Sequence, residues 1–205
     1  KKLQIVMKQR MYILSFDIGV KNLAYCYFEF DKILDIIKIK DWNVLDISST
    51  NKSDQSSILL EKLHHHFNDI DLDYIVIENQ PALKNPIMKT VQVMVYTYFQ
   101  YQKIILHREI DVHTINARNK IKHSYNLMKS YDCPEIICKT NPTNKYKWNK
   151  EASILYTQQF LEYKNLSEHI DFFKSFKKKD DLADTLLQGL YFAHLTSTSE
   201  PTRAS

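Results

Sequence analysis

The stretch MYILSFDIGVKNLAY, residues 11–25, decides the fold class of this chain. Alternating aliphatic and aromatic residues from Tyr12 to Phe16 predict a buried β-strand. The strand ends on Asp17, and a carboxylate in such a strand either begins a turn or faces something that needs a negative charge. Gly19, one of only two glycines in 205 residues, either closes a turn at a positive φ angle or lets a ligand approach the backbone. This stretch alone leaves both interpretations open.

The composition narrows the class of protein. With 205 residues, 44% of them hydrophobic, the chain is long enough for one domain with its own core. A formal net charge of +4 permits a nucleic-acid partner without requiring one. The three cysteines lack a second Cys or His pair to complete a zinc site, which favours a reduced, intracellular protein. No apolar run is long enough to span a bilayer, so we expect no membrane partner.

Further strands and helices follow the opening strand. Residues 22–30 and 32–42 predict two strands joined in a hairpin around Asp31. Helical spacing then extends from Ser53 to Phe67. Within it, the three consecutive histidines 64–66 diverge around the helix, so they cannot converge on one metal ion.

The middle of the chain brings a second carboxylate at a strand end. DYIVIE, residues 73–78, predicts a strand that ends on Glu78. Pro86 begins a long helix that reaches about Leu106 and is apolar on more than one face. Such a helix is either central to the core or shared with a second copy of the chain.

The remaining elements complete an alternating pattern. We predict a strand over 111–115, a mobile loop over 131–146, a helix over 148–163 and an amphipathic helix after Lys179. The order β β β α β α β α α predicts a mixed sheet with helices on its faces and later strands parallel to the first. We divide the chain into an extension (1–10), one domain (11–195) and a flexible tail (196–205).

Acidic residues recur at the strand ends and at the start of the last helix. On that helix Asp181 and Asp184 share a face, but Asp180 lies four residues before Asp184, so spacing does not choose between Asp180 and Asp181. Carboxylates that lie close together repel one another. A bound divalent cation that prefers oxygen ligands, such as Mg²⁺, would offset that repulsion and explain why the acids lie together. The alternative is that first-turn acids complement the helix N-terminus, with Lys177–Lys179 a solvated charge run.

Three motifs resemble the RuvC-like Holliday junction resolvases, in the branch from poxviruses, other large DNA viruses and fungal mitochondria. They are FDIGVKNLA (16–24), VIENQP (76–81) and KKDDLADTLL (178–187). The resemblance implies an α/β fold, an RNase H-like mixed five-stranded sheet flanked by helices. It also implies that Asp17, Glu78, Asp181 and Asp184 are catalytic and hold two Mg²⁺ ions per site, or Mn²⁺ in their place.

The same resemblance implies a substrate and a partner. We expect a homodimer that nicks opposite strands of a four-way or otherwise branched DNA junction, with the long helix after Glu78 in the dimer interface. A lysine is expected near the scissile phosphate; Lys150 is the first candidate and Lys147 the alternative. The side chains expected to contact DNA are Lys21, Asn22, Lys84, Lys89, Arg118, Lys120, Lys122 and Lys147. We expect a viral replication site in the host cytoplasm, with the mitochondrion as the alternative location.

Three other functions are alternatives to this one. A sugar kinase or actin-like ATPase also begins with a strand that ends in Asp and Gly, but its several phosphate-binding glycine turns are absent from a chain with two glycines. An RNase H-type or general branched-DNA nuclease keeps the fold and changes the substrate. A non-catalytic junction-binding protein, with structural acids, stays open as well.

Overall fold

A computed structural model describes residues 9–51, 54–83, 85–116 and 118–198, with Arg118 and Thr198 described by their backbone alone. The strands are β1 (Arg10–Asp17), β2 (Leu23–Asp31), β3 (Ile36–Leu45), β4 (Tyr74–Glu78) and β5 (Asp111–Ile115). The helices are α1 (Asp54–Phe67), α2 (Pro86–Ile104), α3 (Arg118–Ser130), α4 (Lys145–Tyr163), α5 (Ser167–Ser175) and α6 (Lys179–Thr198). None of these helices is both long enough and apolar enough to cross a membrane.

The strands form one five-stranded sheet in the order β3-β2-β1-β4-β5. β1, β2 and β3 pair antiparallel, whereas β4 is parallel to β1 and β5 is parallel to β4. Helix α1 lies between β3 and β4 in the chain, and α2 lies between β4 and β5, as crossover connections between strands require. The predicted mixed sheet, with later strands parallel to the first, is confirmed.

The hairpin between β2 and β3 is placed as predicted, but β3 begins at Ile36, four residues later than expected. The carboxylate of Asp31 accepts hydrogen bonds from the backbone N–H groups of Ile33 and Leu34, both at 3.0 Å. Asp35 then adopts a φ angle of 50°. Because this side-chain cap holds residues 32–35 in a turn, they cannot join the strand.

The two faces of the sheet carry different helices. On one face, α2 packs Val91, Val95 and Phe99 into a core shared with α1. On the other face, α6 lies across β1 and β2 and is surrounded by α3, α4 and α5. A Cβ on Gly189 would lie 2.5 Å from the ring of Phe28, so a glycine is needed for α6 to approach the sheet this closely.

Helices α3 and α5 were missed by the sequence analysis. Apolar residues do recur at helical spacing in α3, at Ile121, Tyr125 and Met128, but most of the helix is charged or polar, so it does not stand out as an apolar segment. α5 has only nine residues, fewer than the window of about 11–18 residues over which a helical period is read. The expected mobile segment has no regular structure between α3 and α4, although Glu151 accepts hydrogen bonds from two of its backbone N–H groups.

Helix α6 continues three residues beyond 195, the boundary expected for the domain. The hydroxyl groups of Thr196 and Ser197 donate hydrogen bonds to backbone carbonyls in the preceding turn. The first eight and last seven residues of the chain, which hold most of the predicted extension and tail, lie outside the described residues.

Candidate active site

Two acidic side chains lie next to each other at the carboxyl ends of neighbouring parallel strands. The register of β1 and β4 pairs Phe16 with Ile77, so the following residues, Asp17 and Glu78, are adjacent across the sheet. Side chains alternate along a strand, which places both carboxylates on the face that α6 covers. The strand ends thus supply two acids beneath the last helix.

Helix α6 is fixed above these strand ends by one buried amide. The Nε2 atom of Gln188 donates to Ser15 Oγ at 3.1 Å, to the Phe16 carbonyl at 3.1 Å and to the Val76 carbonyl at 3.3 Å. Gln188 is one helical turn after Asp184 and shares its face. This contact with both strands therefore determines where the Asp184 carboxylate lies.

A lysine lies inside the resulting acid cluster, which we define as Asp17, Glu78 and Asp184. The ammonium of Lys120, in the first turn of α3, is 2.5 Å from Asp184 Oδ2 and 4.0 Å from Glu78 Oε2. Only 9% of the Lys120 side chain is exposed. Lys120 is predicted from the sequence to contact the DNA backbone, and the structure shows its ammonium against the acids.

The charges in the cluster shift one another's protonation. Burial, followed by the charge and hydrogen bond of Glu78, raises the pKa of Asp17 well above its usual range. Burial also raises the pKa of Asp184, and nearby Lys120 offsets part of that effect. Burial by itself lowers the pKa of Lys120, but Asp184 and Glu78 outweigh it, so its pKa is raised and it carries a positive charge. The charge of Lys120 in turn favours the ionised forms of Asp17 and Asp184.

Asp181 and Lys150 lie at the edge of this arrangement. Burial and the neighbouring charge of Asp180 raise the pKa of Asp181. The ammonium of Lys150, in α4, forms an ion pair with Asp180 and lies 5.2 Å from the ring centre of Tyr146. The structure therefore gives Asp180 a partner of its own, and brings Lys150 to the start of α6 rather than into the acid cluster.

Gly19 serves a close backbone contact. It does not have a positive φ angle, which excludes the turn geometry considered from the sequence. A Cβ at this position would lie 2.3 Å from the backbone oxygen of Asn22, so the tight connection between β1 and β2 has no room for a side chain. With its amide in the orientation that satisfies both atoms, Asn22 accepts from Lys178 at 3.0 Å and donates to the Lys21 carbonyl at 3.2 Å.

The other predicted DNA contacts are spread around the site. Lys89 donates to Asn79 Oδ1 at 3.1 Å and to Gln92 Oε1 at 3.0 Å, beside the end of β4. Lys122 lines a cleft that also reaches Glu78 and Asp184. Lys21 and Lys147 are exposed. Lys84 and the side chain of Arg118 lie outside the described residues.

The acid cluster has the chemistry of a divalent metal site but not a preassembled cage. Within the described ranges, no group of three or more His, Cys, Asp or Glu side chains is arranged to hold an ion; the positive charge among the acids is the ammonium of Lys120. The donors are carboxylate oxygens, which suit Mg²⁺. Asp184 Oδ1 is buried without a hydrogen-bond partner, an orphaned acceptor that a metal ion would satisfy.

Sequence reasoning missed the part that Gln188 plays. The signal was a polar residue four positions after Asp184 on an otherwise apolar helix. The position of Lys120 inside the cluster had no comparable signal, because the helix that carries it was not predicted.

The sequence matches a known protein family and a viral relative. The pattern of the poxvirus A22 protein family matches residues 11–137, which is more than half of the chain and includes Asp17, Glu78 and Lys120. An uncharacterized protein of Acanthamoeba polyphaga mimivirus is 34% identical over 146 residues, 65% of this chain. The chain spans only about a third of the length of that relative, 32%.

Solved structures share the fold. The Fowlpox virus resolvase in complex with Holliday junction DNA superposes with a TM-score of 0.57 at 22% identity, covering 91% of this chain and 99% of that one. The yeast mitochondrial Holliday junction resolvase gives 0.61 at 17% identity, covering 88% and 78%. RuvC of T. thermophilus with a Holliday junction substrate gives 0.53 at 13% identity, covering 91% and 98%. The chain has the RuvC-like RNase H fold, and the family match over most of its sheet shows that it belongs to the poxvirus A22 protein family.

Proposed function

We propose that the chain is a metal-dependent endonuclease that resolves four-way DNA junctions by paired, symmetric nicks. The observation that carries the proposal is the convergence of Asp17, Glu78 and Asp184 at the carboxyl ends of two parallel strands. Membership of the A22 family supports a junction as the substrate, as does the fold shared with resolvases from fowlpox virus and yeast mitochondria.

In this proposal the acid cluster, with Asp181 at its rim, would hold two Mg²⁺ ions, or Mn²⁺ in their place. When bound, such ions supply an activated water and stabilise the leaving oxygen during in-line displacement at phosphorus. The chain's own contribution is to hold buried carboxyl groups close together. The Lys120 ammonium limits their repulsion until DNA and metal arrive.

We assign the active-site lysine to Lys120 in place of Lys150 or Lys147. Its ammonium contacts Asp184, one of the acids that would hold the metal, so it lies inside the proposed site of cleavage. Lys150 is already paired with Asp180, and Lys147 is exposed at the start of α4. A mobile ammonium can move from carboxylate to phosphate, because lysine acts as a point charge on a flexible stem.

The predicted phosphate contacts fit a path across the same face. Lys21 and Asn22 follow the β1 end, Lys89 is held near the β4 end, and Lys122 lies on α3 beside the acid cluster. Such contacts need positive charge more than fixed geometry. Lys84, Arg118 and Lys147 remain proposals that come from the sequence.

We further propose a homodimer through α2. Besides its buried face, this helix exposes Val93, Tyr101 and Ile104, each 50% exposed or more. Together with Leu60 of α1, the middle of α2 lines an almost wholly apolar groove of about 520 Å³. Two such surfaces related by a two-fold axis would cover one another and set two active sites on opposite DNA strands.

The family and the mimivirus relative also support a location. We propose that the protein acts at a viral replication site in the host cytoplasm in preference to a mitochondrion.

Incubation with an end-labelled, immobile four-way junction tests the proposal. With Mg²⁺, the wild type should give paired nicks at symmetric positions near the crossover, and none in EDTA. Asp17→Asn should abolish cleavage and keep junction binding, because it removes a carboxylate charge at nearly constant shape. Asp69→Asn is the matched control, since Asp69 precedes β4 at the opposite end of the sheet and is exposed.

Other outcomes exclude the proposal. Uniform cutting of linear duplex or of an RNA–DNA hybrid would indicate a general or RNase H-type nuclease. Binding of the junction without cleavage by the wild type, over a range of Mg²⁺ and Mn²⁺ concentrations, would indicate a junction-binding protein with structural acids.

A further inference from the structure

A cleft of about 970 Å³ opens from the acid cluster between α3 and α4. Its inner end reaches Glu78, Asp184 and the buried Lys120. Its volume is that of a site for a small molecule or a single nucleotide. In a duplex the bases are stacked inside the helix, so a base reaches such a site only after it leaves the stack. The cleft is therefore contiguous with the proposed site of cleavage, and its volume suits a single nucleotide.

The walls of this cleft carry exposed aromatic rings. Tyr125 of α3 is 40% exposed, and Tyr146 of α4 is 70% exposed. A large aromatic side chain at that exposure leaves a ring face without a packing partner. Tyrosine rings in this state are the platforms on which nucleic-acid bases stack when they are out of the helix.

Positive charges accompany the rings. Lys122 on α3 and Lys145 on α4 line the same cleft, and both are exposed. The Lys150 ammonium lies over the ring of Tyr146, 5.2 Å from its centre. The same ammonium is paired with Asp180 at the start of α6. Lysine beside an aromatic platform is the combination that binds a sugar–phosphate backbone together with its unstacked base.

We propose that the cleft between α3 and α4 binds one unpaired nucleotide of the branched DNA, with its base against Tyr146 and its phosphates near Lys122 and Lys145. The inference rests on the proposed function and names the part of the junction that the site selects. A base at the branch point has lost a stacking neighbour, so moving it into the cleft costs less free energy than extracting one from a continuous duplex. Selection of branched over linear DNA follows.

Binding assays with the full chain test this. In the Asp17→Asn background, which should not cut, fluorescence anisotropy gives the dissociation constants for a four-way junction and for a duplex of matched length. Tyr146→Ala should weaken junction binding about tenfold, within the range for loss of one base–aromatic stack. Duplex binding should stay within about twofold. Tyr146→Phe should retain junction binding, and Tyr146→Leu, which keeps apolar bulk without a ring, should not.

A crosslink gives a direct readout. With 5-iododeoxyuridine at the branch point, ultraviolet crosslinking and mass spectrometry should identify Tyr146 or Tyr125, and the same base in the duplex should give no crosslink there. Circular dichroism checks that the variants fold, which the exposure of Tyr146 leads us to expect.

Other results would overturn either the cleft proposal alone or the proposed function as well. If Tyr146→Ala binds the junction as tightly as its parent, or if the crosslink maps elsewhere, the cleft is not the site and the proposed function still stands. Equal losses on junction and duplex would make the cleft an ordinary backbone contact and overturn the inference. If the Asp17→Asn parent binds no junction, both the inference and the proposed function fail.

Discussion

Replacing Lys120 by methionine tests whether the acid cluster depends on an internal cation. The lysine ammonium is 2.5 Å from Asp184 and 4.0 Å from Glu78, and its side chain is 9% exposed. Removing one partner from an ion pair this enclosed costs about 3–5 kcal/mol, because the remaining charge stays buried. Proton uptake by Asp184, whose pKa burial already raises, should limit the loss to about 3 kcal/mol.

For a chain of this size, that loss corresponds to a fall in melting temperature of about 6–12 °C. The measurement is thermal and urea unfolding in EDTA near pH 7.5. Lys122→Met is the matched control, because Lys122 is exposed on the same helix, and it should change the unfolding free energy by less than about 0.5 kcal/mol.

A double-mutant cycle isolates the pair. Lys120→Met, Asp184→Asn and the double variant should give a coupling free energy of at least about 2 kcal/mol, since the neutral asparagine no longer needs the cation. Added Mg²⁺ should stabilise Lys120→Met more than the wild type, because the ion replaces the missing charge and stabilises the state that binds it. Additive effects, or a Lys120→Met variant as stable in EDTA as Lys122→Met, would refute the reasoning.

Three other predictions concern the turn, the helix contacts and the dimer. Gly19→Ala should lower the unfolding free energy by about 1–3 kcal/mol, because its methyl group would lie 2.3 Å from the Asn22 backbone oxygen. Urea unfolding measures this loss, and a variant as stable as the wild type would contradict the prediction. Burial and neighbouring His194 lower the pKa of His123 from 6.5 to about 4, so the folded state disfavours its protonation and stability is lost as the pH falls from 6.5 towards 4. His123→Asn should therefore remove about 1–2 kcal/mol of that decline, a value reduced for partial solvent exposure. Urea unfolding at a series of pH values measures this, and a variant whose stability falls with pH as the wild type's does contradicts the assignment. Tyr101→Glu, on the outer face of α2, should convert a dimer into a monomer in sedimentation velocity at micromolar concentration, and a monomeric wild type would contradict the proposed dimer.

The arrangement of strands was accessible from the sequence because it depends on local patterns. β1 and β4 are short, apolar and bounded by polar residues, so the period of two and the strand ends can be read directly. Each ends on an acid, and parallel neighbours bring their carboxyl ends to one edge of the sheet. The proximity of Asp17 and Glu78 follows from that topology.

Helix α3 was not accessible in this way. Most of its 13 residues are charged or polar, so the few apolar positions are easily overlooked, and its buried face also carries Lys120 and Ser124. Lys120 can be buried because acids on β1, β4 and α6 lie close enough to balance its charge. Ser124 can be buried because its hydroxyl donates a hydrogen bond to the Lys120 carbonyl. A pattern within 13 residues of one helix cannot report partners that are distant in the chain.

Local patterns in the chain are enough to specify the sheet, the helix that covers it and the acids at their ends, because strand and helix periods and the residues that end them are local properties. Which charges meet depends on the folded arrangement of the elements. That arrangement sets Lys120 among Asp17, Glu78 and Asp184, pairs Lys150 with Asp180, and assigns Gly19 to a close backbone contact. Such pairings depend on distances between elements far apart in the chain. Burial then strengthens the interaction between the paired charges and raises the free-energy cost of leaving one of them unpaired.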